Sequence, residues 1–120
     1  MAARRSPPAK ETALAARCPR QEIATRKDGG LRFAVIADTH SAPHPDAIDR
    51  VAKEVPDHVL HAGDIGDLAV LDRFAKVAPV TAVRGNIDEH ALEIPEARII
   101  DIVRDGSIIL SFLLTHIAVF

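Results

Sequence analysis

The stretch LRFAVIADTH, which runs from Leu31 to His40, decides the fold of this chain. Its first seven residues are apolar except for Arg32, a pattern typical of a strand buried on both faces of a parallel sheet. Asp38 and His40 come directly after that strand. Because ligands of open α/β sheets collect at the carboxyl ends of the strands, both side chains are candidate functional residues.

Strands and helices alternate as far as residue 83. The predicted segments are a helix that begins at Pro45-Asp46 and is ended by Pro56, a strand over His58–His61, a helix through Leu68 and Phe74 that stops before Pro79, and a strand over Val80–Val83. This order predicts a parallel sheet with right-handed crossovers, covered by helices. Each strand after the first should therefore place its carboxyl end beside Asp38 and His40.

The pattern changes beyond Asp88. Arg98–Val103 and Ile108–Leu114 are two apolar runs rich in β-branched residues, and Arg104-Asp105-Gly106 between them indicates a hairpin turn. We expect these runs to form a mixed sheet with the first strands or a second sheet.

Composition and charge suggest one domain preceded by a basic leader. The chain has 120 residues, 48% hydrophobic and 27% charged, which fits a single globular domain over 31–120. Residues 1–30 carry seven Arg or Lys against three acids, whereas the remainder carries eight against fourteen. We interpret 1–30 as a disordered basic leader. Nucleic-acid binding through that leader is the last of the alternatives, because it rests on residues 1–30 alone. The scarcity of stacking aromatic residues also argues against single-stranded nucleic acid as a partner.

Cysteine usage and apolar runs predict the compartment. Cys18 is the single cysteine, so the chain has neither an internal disulfide framework nor a cysteine-based metal cluster. No apolar run before Leu31 resembles a signal peptide, and Ser107–Phe120 is too short to span a bilayer. We therefore expect a cytoplasmic protein with no membrane partner.

Potential metal ligands follow each of the predicted strands. Asp38 and His40 follow the first strand, Asp64 the second and Asn86 the third, and His116 ends the last apolar run. We expect all five to converge on one rim of the sheet. An oxygen and nitrogen ligand set without thiolate suits manganese, zinc or iron. A two-metal site requires a carboxylate that bridges the ions, and Asp64 is the natural bridge.

The motifs around these residues match a known family. They are Asp38-Thr39-His40, His61-Ala62-Gly63-Asp64-Ile65-Gly66-Asp67, Val83-Arg84-Gly85-Asn86-Ile87-Asp88 and Leu114-Thr115-His116. In this order, each after an apolar strand, they resemble the calcineurin-like metallophosphoesterases of the small bacterial and archaeal phosphodiesterase type. The resemblance covers Leu31 to His116 and implies the α/β fold of that family, a sandwich of mixed β-sheets flanked by helices.

The resemblance also implies a function. Asp38 and His40 would bind one metal, Asp64 would bridge, and Asn86 and His116 would bind the second, with Asp64 and Asn86 as the catalytic residues. The expected cofactors are two divalent ions, Mn²⁺ first, with Zn²⁺, Fe²⁺ or Ni²⁺ as alternatives. The implied reaction is hydrolysis of a small-molecule phosphodiester by a hydroxide activated by two metals, with phosphomonoesters as a second substrate class.

The resemblance breaks off after His116. Ile117 stands where the family has a glycine, and the later G-H-x-H motif, which supplies one more ligand to each metal, has no counterpart before Phe120. We therefore expect the C-terminal part of the domain to be missing, with an unpaired sheet edge and poor solubility as consequences. The alternative function is a truncated or degenerate phosphoesterase fold that acts as a non-catalytic binding module, like the phosphoesterase-like subunit of retromer.

Other polar residues of the motifs have structural interpretations. Asp67 precedes the second predicted helix and is expected to cap it. Arg84 either contacts substrate phosphate or pairs with a neighbouring acid such as Asp88. The remaining histidines are expected to be exposed or hydrogen-bonded rather than metal ligands: His44, His58, His61 and His90.

Overall fold

The computed structural model describes residues 18–117, which form two sheets with helices on one side. In chain order the elements are β1 (Arg20–Ala24), β2 (Phe33–Ile36), α1 (Ala47–Lys53), β3 (His58–His61), α2 (Ala69–Ala75), β4 (Val80–Ala82), a 3₁₀ turn (Asn86–Asp88), β5 (Ala97–Arg104) and β6 (Ser107–Thr115). The predicted alternation of strands and helices up to residue 83 is confirmed, with boundaries shifted by one or a few residues.

The first sheet has the order β2-β3-β4 and is entirely parallel. All four residues of the central strand β3 are buried, as expected for a strand with neighbours on both edges and covered faces. Val70 and Phe74 lie one turn apart on α2 and pack with Val59 of β3 in the helix-facing core. This core holds the sheet against the helices and leaves the carboxyl ends of the strands open.

The second sheet has the order β1-β5-β6, with β6 at one edge. β5 and β6 pair antiparallel through the predicted hairpin. Its two central residues, Asp105 and Gly106, have φ of 51° and 80°. Two successive positive φ values are what a type I′ turn requires, and Asp-Gly is a preferred sequence for it. The ladder shifts between Ile102 and Val103, which leaves Ile109 as the extra residue of a β-bulge.

The two sheets pack face to face, and this confirms the sandwich of the expected fold class. The shared core contains Ile23, Leu60, Val83, Ile100, Ile102 and Leu114. Phe33 of β2 meets Phe112 of β6 edge-on at a centroid distance of 5.8 Å. Arg98 Nε also donates to the carbonyl oxygen of Ala82 across the sheets, at 2.9 Å. The sandwich fixes the end of β6 beside the first sheet.

The expected start of the folded domain at Leu31 is wrong, because residues 20–24 are part of the second sheet. β1 pairs in parallel with β5, buries Ile23 in the core between the sheets, and therefore belongs to the folded domain rather than to a disordered leader. Arg20 adds a two-pronged ion pair with Asp101, at 2.8 and 3.0 Å. Residues 1–17 lie outside the described part of the chain, and their disorder stays a prediction.

Two further expectations concern helices. The N-cap of α2 is Leu68, which has no side-chain cap hydrogen bond, so the predicted N-cap position of Asp67 is wrong by one residue. Asp67 Oδ1 nevertheless accepts the N–H of Ala69, the first residue of α2, at 2.9 Å. Within residues 18–117, neither helix has the length or the apolar content to cross a bilayer.

Candidate metal centre

The loops after β2 and β3 run side by side. Asp38 N donates to the carbonyl oxygen of Gly63 at 2.9 Å, His40 N to that of Asp64 at 3.0 Å, and Ser41 N to that of Ile65 at 2.8 Å. These backbone hydrogen bonds hold the two loops in a fixed relation to each other. They bring Asp38 and His40 next to Asp64.

The three residues so placed share a rare backbone conformation. Asp38, His40 and Asp64 have φ of 56°, 47° and 57°. Left-handed backbone is uncommon for residues with a side chain, although Asp and His tolerate it better than most. Such conformations cost of order 1–3 kcal/mol each and cluster at functional sites, where the surrounding structure imposes them. The residues with this strained backbone are the same three that the motifs predicted to be metal ligands.

These side chains form a compact group of ligand atoms. One ligand atom from each of Asp38, His40 and Asp64 lies within 4.8 Å of the other two. His40 Nε2 is 3.5 Å from Asp64 Oδ2 and 3.8 Å from Asp38 Oδ1. Two ligands at about 2.1 Å from one tetrahedral ion are about 3.4 Å apart, so the group fits a divalent cation. Asp38 and His40 are more than half exposed, which leaves the group open to solvent.

His116 approaches Asp64 from β6. Its Nε2 is 3.5 Å from Asp64 Oδ2, the same oxygen that faces His40. Its Nδ1 lies 2.9 Å from the carbonyl oxygen of Ala62, which makes Nδ1 the donor, and in the neutral ring the Nε2 lone pair then points toward the carboxylate. Two acceptors then face each other, an arrangement that a cation between them would stabilise. The prediction that His116 reaches the same rim is therefore consistent with the geometry.

The lack of a side chain at Gly63 makes room for His116. Gly63 has φ of 104°, and a Cβ at this position would lie 2.7 Å from the Cβ of His116. Any larger residue would push the imidazole away from Asp64. The glycine that the sequence placed before Asp64 thus serves close approach as well as the turn.

Asn86 lies between two residues that approach Asp64 closely. Its neighbours contact that carboxylate: Ile87 N donates to Asp64 Oδ1 at 3.3 Å, and Gly85 lies so close that a Cβ there would collide with Asp64. Asn86 and His116 both line a cleft of about 680 Å³. The structure therefore groups Asp38, His40 and His116 around Asp64, while Asn86 lines the same cleft as His116 and its role as a ligand stays a prediction.

Asp88 is a site residue that the sequence reasoning did not identify. It is fully buried, and its carboxylate accepts three backbone N–H groups, from Gly85 at 2.8 Å, Gly66 at 2.9 Å and Ile65 at 3.0 Å. Burial acts to raise the pKa of Asp88, but these hydrogen bonds outweigh it and hold the pKa below its ordinary value. Asp88 thus ties the loop of Asp64 to that of Asn86. The signal was its place at the end of Gly85-Asn86-Ile87-Asp88.

His61 is hydrogen-bonded to both loops that carry the candidate metal ligands. The ring is fully buried, with Nε2 3.0 Å from Thr39 Oγ1 and Nδ1 accepting the N–H of Gly63 at 3.1 Å. Thr39 in turn donates to the carbonyl oxygen of Ile65 at 2.9 Å, which assigns the ring as a neutral Nε2–H tautomer. Burial lowers the pKa of His61, in agreement with a neutral ring. It is hydrogen-bonded, as expected, and holds the Thr39 loop in place.

The remaining motif residues have other partners. Arg84 pairs with Glu96, at 3.2 Å between Nη2 and Oε1, and the suggested pairing with Asp88 is wrong because Asp88 is buried among backbone N–H groups. Burial lowers the pKa of His58, which is hydrogen-bonded to Thr81 at 2.7 Å. His44 and His90 are exposed.

Comparison with known proteins places the chain in a family. The model of the calcineurin-like phosphoesterase superfamily domain matches residues 31–118. The chain belongs to this superfamily, and the resemblance drawn from its motifs is confirmed. Membership implies divalent metal ions, and the Asp38, His40 and Asp64 group is a possible place for one.

Two archaeal proteins are similar to this chain. A probable metallophosphoesterase of Methanothermobacter thermautotrophicus is 36% identical, over 60% of this chain and 44% of that protein. A probable metallophosphoesterase of Methanocaldococcus jannaschii is 35% identical, over 62% of this chain and 39% of that protein. The match spans less than half the length of either relative.

One solved structure is also similar. Vps29 from Chaetomium thermophilum matches with a TM-score of 0.48 and 23% identity, over 65% of this chain and 43% of the other.

Proposed function

We propose that this chain binds two divalent cations, Mn²⁺ first among them, and hydrolyses phosphodiester bonds. Asp38 and His40 would hold one cation, Asn86 and His116 the other, and Asp64 both. The supporting observation is that Asp64 Oδ2 lies 3.5 Å from Nε2 of His40 and 3.5 Å from Nε2 of His116. A carboxylate oxygen shared between two imidazoles is the arrangement that a bridging ligand needs.

Hydrogen bonds within the protein fix the orientation of the Asp64 carboxylate. Asp88 and the N–H of Ile87 fix the loops and one oxygen of Asp64, so the other oxygen is presented without rotation of the carboxylate. When bound, paired divalent cations lower the pKa of water and stabilise negative charge on phosphoryl oxygens. Asn86 stands at the cleft, where a side-chain amide can orient the phosphoryl group.

The charges around the cleft favour diesters over monoesters. Glu89 and Glu96 line it together with Arg84, and Arg84 is already paired with Glu96. Among the protein's own charges, two carboxylates against one guanidinium repel a dianionic monoester more than a singly charged diester, and this repulsion opposes the attraction of the monoester to the cations. Small-molecule phosphodiesters are therefore the proposed substrates.

The test combines binding with turnover in one set of variants. Calorimetric titration with Mn²⁺ and hydrolysis of bis(p-nitrophenyl) phosphate are measured for wild type, Asp64→Asn and Asp72→Asn, the last an exposed helix residue as matched control. We expect Asp64→Asn to lose Mn²⁺ affinity and turnover by 100-fold or more, and Asp72→Asn to resemble wild type. A second assay with p-nitrophenyl phosphate is expected to give the lower kcat/KM.

The outcomes separate the alternatives. Turnover that survives in Asp64→Asn would refute the bridging role. Mn²⁺ binding without turnover would leave the metal centre in place and contradict the catalytic proposal. A folded wild-type chain that binds no divalent cation would support the non-catalytic binding module instead.

A further inference from the structure

A small cavity adjoins the candidate metal centre at Asp38. It has a volume of about 260 Å³, and its walls are the end of β2, the loop that follows β2, the first residue of α1 and one residue of α2. All of its lining residues lie between positions 36 and 74, in a part of the chain that the structure describes without a gap. Most of them are apolar: Ile36, Ala37, Ala42, Pro43, Ala47 and Phe74.

This cavity is separate from the cleft that Asn86 and His116 line, because the two share no lining residue. The cavity opens beside Asp38 and the cleft beside Asn86, so each adjoins a different candidate ligand. The cleft is lined by one guanidinium and two carboxylates, whereas the cavity is mostly apolar. A phosphodiester carries two ester groups, and the two spaces differ in size and polarity as two unlike ester groups would.

The polar side chains that line the cavity are Asp38, Thr39 and His44. The Thr39 hydroxyl is already occupied, since it is hydrogen-bonded to His61 and to a backbone carbonyl oxygen. His44 Nδ1 accepts the N–H of Asp46 at 3.2 Å. In the neutral ring the proton then lies on Nε2, which makes this nitrogen a hydrogen-bond donor. Among these three side chains, His44 is therefore the one that can donate to a ligand.

We propose that the cavity beside Asp38 binds one ester group of the substrate, an apolar group about the size of one aromatic ring. His44 is a specificity-determining residue, whose Nε2–H donates to the oxygen that joins this group to phosphorus. The larger, charged cleft then takes the other, more polar ester group. The inference rests on the proposed function and deepens it, because it names the substrate class as a phosphodiester with one small apolar ester group.

The volume of the cavity limits the size of its ligand. Sites that hold whole small molecules have volumes of about 300–1,000 Å³, so a cavity of about 260 Å³ is too small for a complete substrate. A cavity of about 150 Å³ with apolar walls is large enough for benzene. One aromatic ring with a small substituent therefore fits, and apolar walls favour it over a polar group of the same size.

The position of Asp38 determines how a bound ring would be presented. Asp38 lines the cavity and also belongs to the candidate metal group. A ring in the cavity would therefore carry its phosphate at the end where Asp38 lies. Phe74 is fully buried at the inner end, whereas His44 is exposed at the opening. The ester oxygen, which joins ring and phosphate, would then lie at the same opening as His44.

The first experiment measures ring binding without metal and without turnover. 4-Fluorophenol and fluorobenzene are titrated into the metal-free chain, and ¹⁹F NMR reports their binding. We expect wild type to bind both probes. Ala42→Leu and Ala47→Leu fill the cavity from two different walls, and each should weaken the binding of both probes by about 5-fold or more. The matched control, Ala52→Leu, adds the same side chain at an exposed position of α1 outside the cavity and should bind like wild type.

A second pair of variants separates hydrogen bonding from packing. His44→Phe keeps a ring at this position but removes the N–H donor. We expect it to weaken the binding of 4-fluorophenol, whose oxygen accepts the hydrogen bond, by about 2- to 10-fold, the range for one neutral hydrogen bond. Fluorobenzene has no such oxygen, so its binding should not change. His44→Gln retains a donor and should recover most of the affinity for 4-fluorophenol.

The same variants then connect the cavity to hydrolysis. With Mn²⁺ and bis(p-nitrophenyl) phosphate, Ala47→Leu should raise KM by about 5-fold or more and leave the Mn²⁺ affinity unchanged, because residue 47 is not a candidate ligand. Ala52→Leu should have the KM of wild type.

The outcomes distinguish this inference from the proposed function. Ring binding that both leucine variants weaken supports the cavity even where the wild-type chain hydrolyses no diester, a result that would contradict the proposed function alone. Hydrolysis by a wild-type chain that binds neither probe would overturn the cavity and leave the proposed function in place. Probe binding that both leucine variants leave unchanged would also overturn it. Equal effects of His44→Phe on both probes would refute the hydrogen bond from His44.

Discussion

Replacing Asp88 by asparagine changes the charge of a buried group and almost nothing of its shape. Its Oδ2 accepts Gly85 N and Ile65 N, and its Oδ1 accepts Gly66 N. An asparagine keeps one oxygen and so retains two acceptor contacts, now without charge, while its amide nitrogen faces another donor. The substitution therefore weakens two hydrogen bonds and removes the third.

The magnitude follows from these contacts. A hydrogen bond to a charged group contributes about 1.5–3 kcal/mol and a neutral one about 0.5–1.5, so the two weakened bonds lose about 2 kcal/mol together. An unsatisfied buried donor costs about 1–3 kcal/mol more. The neutral side chain avoids the cost of burying a charge, which offsets part of this loss. We expect Asp88→Asn to lower the free energy of unfolding by about 2 kcal/mol.

The assay is urea unfolding at pH 7, followed by circular dichroism. With a typical slope of about 1–3 kcal/mol/M, the midpoint should fall by about 1 M, and Asp49→Asn, an exposed residue of α1, should shift it little. Because folding lowers the pKa of Asp88, its contribution is complete above the unfolded pKa of about 3.9 and is lost as pH falls through the folded pKa. The difference between wild type and Asp88→Asn should therefore narrow below about pH 4. A shift under about 0.5 kcal/mol at pH 7, or a difference independent of pH, would refute the reasoning.

Three further predictions concern the same rim. Gly85→Ala drives a Cβ into Asp64 and should reduce Mn²⁺ affinity at least 10-fold in a calorimetric titration; unchanged affinity would contradict the packing argument. Burial lowers the pKa of His61 from 6.5, so the unfolded state binds the proton more readily, and stability should fall as pH drops below about 6.5. Urea midpoints at pH 7.5 and 5.5 check this, and His61→Gln should show a smaller fall. Thr39→Val deprives His61 and the Ile65 carbonyl of a partner and should cost about 1–3 kcal/mol, whereas Thr39→Ser should cost less; equal losses would argue against the hydroxyl.

The sequence predicted most strands because their signals are local. The apolar run before Asp38, the short strand His58–His61 and the Asp105-Gly106 turn each carry their own pattern, and all three appear in the structure. β1 was missed because four of its five residues are not buried, so RQEIA reads as part of a polar leader. Only pairing with β5, nearly eighty residues away, makes it a strand. Such long-range pairing leaves no local signal.

The sequence predicted that the candidate ligands lie on one rim, but it did not predict the hydrogen bonds that hold their loops in place. The rule that ligands follow parallel strands placed Asp38, Asp64 and Asn86 on one rim. It gave no information on how the loops are held, which depends on Asp88 collecting N–H groups from two of them. Likewise, the pairing of Arg84 with Glu96 depends on how the chain folds back after residue 88, and a preference for the nearer acid gave the wrong partner.

His116 directly follows β6, and this position connects the candidate metal centre to the second sheet. The imidazole faces Asp64 only while β6 stays paired with β5 and Ala62 accepts its Nδ1–H. A cation held by Asp64 and His116 would therefore link the two sheets, and its binding should raise the free energy of unfolding of the whole sandwich.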